Sequence, residues 1–258
     1  MATYFTSDQH ITLRYPERGQ RFARFLDLID PQNDRLVIAG DLCDFWFTAR
    51  EAHRPEAKAD AGILALKSFV DKGGEVVLLG GNHDQHLEWF YKDLLGLTFD
   101  REPLEKNFEH SRIHLAHGHL LGGRSRWKGL MESTGFLSTF KTVPSPLANS
   151  LAAQLKKYNS RNRKVDNLRH FMVFKNYVEK LPENQFDLVV LGHVHQTIFR
   201  EVNSLQSSSS VKLAVLGHWF HQSSWLKLDQ NGPEFYIWQD GEASPRLAEF
   251  AQVKGPEE

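Results

Sequence analysis

The chain has 258 residues, 41% hydrophobic and 24% charged, with a formal net charge of -1. This is the composition of a globular protein with an ordinary core and excludes a disordered tail. The near-neutral charge argues against a protein that coats nucleic acid, so no nucleic-acid partner is expected.

A lone cysteine, Cys43, excludes an internal disulfide and any cysteine-rich zinc site, and fits a reducing compartment. No apolar run approaches the roughly 20 residues of a membrane-spanning helix. The opening MATYFTS lacks the basic start and apolar stretch of a secretory peptide, so cytoplasmic residence is expected.

In chain order, TYF near the start predicts a strand, RFARFLDLI (21–29) a helix and RLVIAG (35–40) a strand. PEAKADAGILALKSFV (55–70) predicts one helix with Pro in its first turn, followed by the strand EVVLLG (75–80) and the helix HLEWFYKDLLG (86–96), which stops at Gly. RIHLA (112–116) and DLVVLG (187–192) predict two more strands. These strands are apolar on both faces, as expected where helices or a second sheet cover them. Alternating strands and helices define an α/β chain. Beyond residue 192, TIFREV, VKLAVLG, WLKLD and EFYIW are separated by the turn-like SLQSSSS and DQNGP, which predicts a second, largely antiparallel sheet.

The strand ends share a composition: SDQH (7–10), AGDLCDFW (39–46), GGNHDQ (80–85), AHGH (116–119) and LGHVH (191–195). Any one of them reads as a polar turn. Together they deliver Asp, Asn and His to the carboxyl ends of strands, where ligands of open α/β sheets bind. Carboxylate, amide oxygen and imidazole, with no thiolate, suit manganese, iron or zinc at two adjacent positions. Asp8 and His10, and again His193 and His195, stand at i and i+2 and can point the same way. Cys43 beside this set reads as a small buried thiol, not a nucleophile.

The ordered set resembles the calcineurin-like metallophosphoesterase superfamily, whose blocks run D-x-H, G-D, G-N-H-D, H and G-H-x-H. The resemblance implies an αββα sandwich of two mixed sheets flanked by helices. It also implies one domain over residues 1–258, with 120–182 inserted as a helical cap. Two divalent metal ions about 3.5–4 Å apart follow from it. Carried over residue by residue, Asp8, His10 and His195 are expected on the first metal and Asn82, His117 and His193 on the second, with Asp41 bridging both. Such a pair activates a shared water and neutralises phosphoryl charge. His83 is then the natural acid for the leaving oxygen, with Asp84 expected to hold its ring.

Residues 120–182 carry twelve Lys and Arg against three Asp and Glu, around helix-like apolar stripes. Such a segment could cap the crevice, meet an anionic amphiphile, touch a membrane surface peripherally, or be an ordinary helical hairpin packed on the core. GDLCDFW, HGHLL, the basic insertion, GHVHQT and LGHWF together resemble the UDP-2,3-diacylglucosamine diphosphatase group of that superfamily. That resemblance implies manganese, a pyrophosphate-linked lipid substrate, and Arg124, Lys128, Asn159, Arg161 and Arg163 as contacts to its phosphates or sugar. His83, His119 and His218 depart from the Arg, Asp and Asp of the group's best-known branch, which leaves a generic phosphodiesterase or phosphatase, acting on nucleotides or proteins, as the alternative. A non-catalytic scaffold is disfavoured because every ligand position is filled.

Overall fold

The computed structural model describes residues 1–44, 52–121, 172–182, 184–203, 210–220 and 222–248. Its chain order is β1 (Thr3–Thr6), α1 (Pro16–Leu26), β2 (Arg35–Ala39), α2 (Pro55–Lys58), α3 (Ala61–Asp71), β3 (Glu75–Leu79), α4 (Glu88–Leu95), β4 (Leu104–Phe108) and β5 (Ser111–Ala116). There follow β6 (Leu188–Leu191), β7 (Thr197–Asn203), β8 (Ser210–Leu216), β9 (Gln222–Asp229), β10 (Gly232–Gln239) and β11 (Arg246–Leu247). Residues 172–178 are also helical, and among the described residues no helix is long and apolar enough to cross a membrane.

Alternation along the strands builds the layers. In β2, Leu36 and Ile38 pack with Phe22, Phe25, Ile63 and Leu66 of α1 and α3, while Val37 and Ala39 turn to the other side. There they meet Ile113, Val190 and Ala214 of a second sheet. In β6, Val189 and Leu191 pack outward on Phe174 and Val178. The result is helix, sheet, sheet, helix, the αββα sandwich expected. Each fully buried Val, Leu, Ile or Phe contributes about 1.5–3 kcal/mol, so strands apolar on both faces are what hold the two sheets together.

The first sheet runs β11-β10-β9-β1-β2-β3 and the second β4-β5-β6-β8-β7. The strands β1, β2 and β3 are mutually parallel, as are β5, β6 and β8. The C-terminal strands therefore do not form a sheet of their own, contrary to the sequence reading. β9 extends the first sheet antiparallel to β1 and β10 follows antiparallel to β9, while β7 and β8 complete the second. Pairing across many residues is not encoded in local periodicity, which shows only that a segment is a strand.

Two helix boundaries also differ from expectation. α1 begins at Pro16, which supplies the first-turn proline. The single helix expected over 55–70 is broken, because Asp60 caps α3 by accepting from the amides of Gly62 (2.8 Å) and Ile63 (3.4 Å). α4 ends as expected at Gly96, left-handed with φ 69°. Edge strands β4 and β11 went unread.

Candidate active site

Five loops leave the carboxyl ends of β1, β2, β3, β5 and β6 and converge. Six non-glycine residues among those described have positive φ, and four lie in these loops: Asp8 (56°), His10 (51°), Asp41 (54°) and His193 (65°). Left-handed backbone at such residues costs of order 1–3 kcal/mol each and persists only where the surroundings enforce it. The bonds Asp8 N to Gly40 O (3.1 Å), His10 N to Asp41 O (3.0 Å), Ile11 N to Leu42 O (2.8 Å) and Gly192 N to His117 O (3.1 Å) tie the loops to one another. Gly40, φ 90°, and Gly81 lie so close to their neighbours that a methyl would sit 2.6 Å from His117 Nδ1 and 2.1 Å from Asp41 Oδ1, respectively. The loops are thus held rigidly in an arrangement that local preference disfavours.

Each buried carboxylate spends one oxygen on fixing itself and aims the other at imidazoles. Asp8 Oδ2 accepts from Ser7 Oγ (2.5 Å) and His193 N (2.9 Å). Among the described residues its Oδ1 has no hydrogen-bond partner, and it lies 3.6 Å from His10 Nε2 and 3.8 Å from His195 Nε2. Asp41 Oδ1 accepts from His83 N (2.8 Å), while Oδ2 stands 3.8 Å from His10 Nε2 and 3.3 Å from His117 Nε2. His117 donates Nδ1–H to Ala39 O (2.8 Å), which turns its basic Nε2 towards Asp41 and towards Asn82 Oδ1, 3.4 Å away. Ligands about 2.1 Å from a common ion stand roughly 3.0–3.4 Å apart. Separations of 3.3–3.8 Å between these atoms are too long for strong hydrogen bonds and lie at or a little beyond the spacing of ligands on one ion, which leaves room for a cation among them. Among the described residues three such groups exist: Asp8, His10 and His195; His10, Asp41 and His83; Asp41, His117 and His193. Asp41 and His10 each belong to two.

The electrostatics agree with this reading. Burial alone would raise both carboxylates, but the imidazoles outweigh it, His10 first for Asp8 and His117 first for Asp41. Asp8 therefore lies below its ordinary value and Asp41 well below. Burial, then the nearby His10, pushes His195 down to about 3 and keeps it a neutral ligand. Burial opposes protonation of His117 too, but Asp41, Asp8 and Glu102 push it up to about 10, so it must release a proton to serve as a ligand.

The expected orienting role of Asp84 is corrected. Its carboxylate accepts from the amides of Gly81 (2.9 Å), Leu42 (2.8 Å) and Cys43 (3.3 Å) and from Tyr91 Oη (2.8 Å). It braces the Asp41 loop against the GNHD turn and α4. Burial, then the Asp41 charge, lifts its pKa to about 6 in spite of those bonds. The carboxylate that holds the His83 ring is Asp44, with Oδ1 2.9 Å from Nδ1. Cys43 is buried, its thiol pushed well above its ordinary value chiefly by burial, as suits a structural residue.

His119 stands beside the second group, its ring 5.3 Å from that of His117 and its Nδ1 3.8 Å from Glu102 Oε2. His218 lies 5.3 Å from His195 and stacks at 4.4 Å on Phe220. Phe220, Tyr15 and Arg18 also border the site and were missed, since nothing local distinguishes them. Arg124, Lys128, Asn159, Arg161 and Arg163, and all of 122–171 within the insertion, lie outside the described residues, as does His221.

A two-sheet α/β sandwich with paired Asp, Asn and His donors at its strand ends defines a metallophosphoesterase. The profile described as calcineurin-like phosphoesterase matches residues 1–197, and the chain belongs to that family. It is accordingly a metal-dependent phosphoester hydrolase, and the family implies divalent metal ions. A UDP-2,3-diacylglucosamine hydrolase of Stenotrophomonas maltophilia (strain R551-3) is 28% identical over 90% of this chain and 96% of its own. One from Photorhabdus laumondii subsp. laumondii is 27% identical over 88% and 95%. Among solved structures, Vacuolar Protein Sorting 29 from Cryptosporidium parvum superposes with a TM-score of 0.46 at 13% identity, covering 96% of this chain and 95% of its own.

Proposed function

We propose that the protein cleaves the pyrophosphate of UDP-2,3-diacylglucosamine, giving UMP and 2,3-diacylglucosamine 1-phosphate, with two divalent ions for which manganese is the first choice and iron or zinc the others. The single observation that carries a dinuclear reading is Asp41: one fixed carboxylate whose free oxygen faces His10 on one side and His117 on the other. Asp8, His10 and His195 would hold the first ion, and Asn82, His117 and His193 the second, with Asp41 shared. Bound ions supply a hydroxide nucleophile near neutral pH and neutralise phosphoryl charge.

The chain's own groups do the rest. His83 stands 4.6 Å from the His10 ring, at the mouth of the first group. With Nδ1 engaged by Asp44, its Nε2 is the nitrogen to protonate the leaving oxygen. Strained, mutually bonded loops fix the donors in advance, so little reorganisation is needed at reaction. The lipid substrate rests on the names of relatives that align along nearly the whole chain. The basic, apolar-striped insertion would meet its anionic head and acyl chains and bring the protein to the inner membrane face.

The test is an assay with manganese that offers UDP-diacylglucosamine beside bis-p-nitrophenyl phosphate. Strong preference for the lipid is expected. Equal or faster turnover of the simple ester would favour a generic phosphodiesterase.

A further inference from the structure

Two arginines lie nearly one turn apart on α1 and have opposite fates. Arg21 is buried and saturated: it forks onto Asp240 (2.7 Å to each oxygen) and reaches the carbonyls of Trp219 (2.5 Å) and Phe220 (3.2 Å). Arg18 remains half-buried at the site's mouth. Its guanidinium lies between two aromatic faces, 4.5 Å from the Tyr15 centroid and 4.2 Å from that of Phe220. One nitrogen, Nη1, donates to the carbonyl of His10 at 3.0 Å. A guanidinium has five N–H donors in a planar fork, and stacking occupies its faces, not its edge. Among the described residues no salt bridge reaches Arg18, and the carboxylates of Asp44, then Glu17, act on it only from a distance. The Phe220 ring beneath it adjoins His10 (5.5 Å) and His195 (5.4 Å), both of the first donor group.

We propose that Arg18 is a substrate-binding residue that grips the second phosphoryl group of a diphosphate, beyond the one held at the metal-ligand cluster. This rests on the phosphoesterase reading above and deepens it by assigning the specificity for a diphosphate over a monophosphate. A cation held over two rings and anchored at one corner by a backbone carbonyl is pre-oriented, so little side-chain entropy is lost when an oxyanion takes a remaining N–H. The loop contacts of Arg21 keep Phe220 in place as the platform. The site of attack lies in the strand-end loops and this contact on α1, tied to the His10 loop by Nη1, so a phosphoanhydride has a second phosphoryl group to offer there and a monoester does not.

Isothermal titration of the manganese-loaded full chain with UMP and with uridine 5′-(α,β-methylene)diphosphate tests the assignment, alongside metal content for every variant. Arg18→Gln is expected to weaken the diphosphate analogue about tenfold while weakening UMP threefold or less, the magnitude of one charge-assisted contact. Arg18→Lys should fall between, since it restores charge without the fork. Equal weakening of both ligands, no weakening of either, or loss of metal from Arg18→Gln would overturn the proposal, the last by reducing Arg18 to a support for the His10 loop. A wild-type protein that binds neither nucleotide would instead sink the nucleotide-substrate reading together with this one.

Discussion

At the scale of single residues, the site works by dividing labour between neighbouring carboxylates. Asp44 holds His83 and Asp84 holds backbone, although Asp84 is the one adjacent to His83 in sequence. His83→Ala should retain metal and lose about 10²–10⁴-fold in turnover, the usual range for general acid catalysis. Asp44→Asn should lose roughly tenfold or more with metal content and folding intact. Asp84→Asn should instead lower the melting temperature, because one of its two acceptor oxygens becomes an NH2 set against a buried amide, that of Gly81 if the retained oxygen serves Leu42, Cys43 and Tyr91. Thermal melts and metal analysis on the three variants separate these outcomes, and a destabilised Asp44→Asn beside a stable Asp84→Asn would reverse the assignment. The donor residues were legible because Asp, Asn and His follow apolar strands at fixed offsets. The Asp44–His83 pair was not, since it joins two loops 39 positions apart. Nor were the left-handed residues, since Asp8, His10, Asp41 and His193 are not themselves the glycines that ordinarily adopt such a backbone.

At the scale of elements, α1 and α3 cross where Gly19 meets the Asp60 cap so closely that a methyl on Gly19 would lie 2.1 Å from Oδ1. Asp60→Ala should therefore cost about 1 kcal/mol, typical of a lost N-cap, read from urea unfolding. Arg21→Lys should cost more, since a lysine cannot reproduce the fork on Asp240 and would leave the carbonyls of Trp219 and Phe220 without their donor. A neutral Arg21→Lys would show that α1 does not anchor that loop. Strands with buried apolar residues on both faces were readable from sequence. β4, LEKNF, was not, because Glu105, Lys106 and Asn107 are all exposed in an edge strand that resists further pairing by carrying charge. β11, two residues long, has no pattern to read.

At the scale of the whole molecule, the two sheets bring the carboxyl ends of β1, β2 and β3 against those of β5 and β6, so ligands more than 180 positions apart, Asp8 and His193, become neighbours. The αββα class followed from strand composition and resemblance, but the interleaving of C-terminal strands between sheets did not. That pairing depends on which buried faces fit, which is settled only in the assembled core. Because buried acceptors face one another across the site, metal binding should stabilise the fold. Chelation should lower the melting temperature by several degrees, in line with about 2.7 kcal/mol of linkage at a hundredfold excess of ion over its dissociation constant. A melting temperature indifferent to chelator and to added manganese would count against a site that binds ions in the folded state. The most direct test of the dinuclear centre is an anomalous-difference map from crystals grown with manganese. The account predicts two peaks about 3.5–4 Å apart, one beside Asp8, His10 and His195 and one beside Asn82, His117 and His193, with Asp41 between them. A single peak, or peaks remote from Asp41, would contradict it.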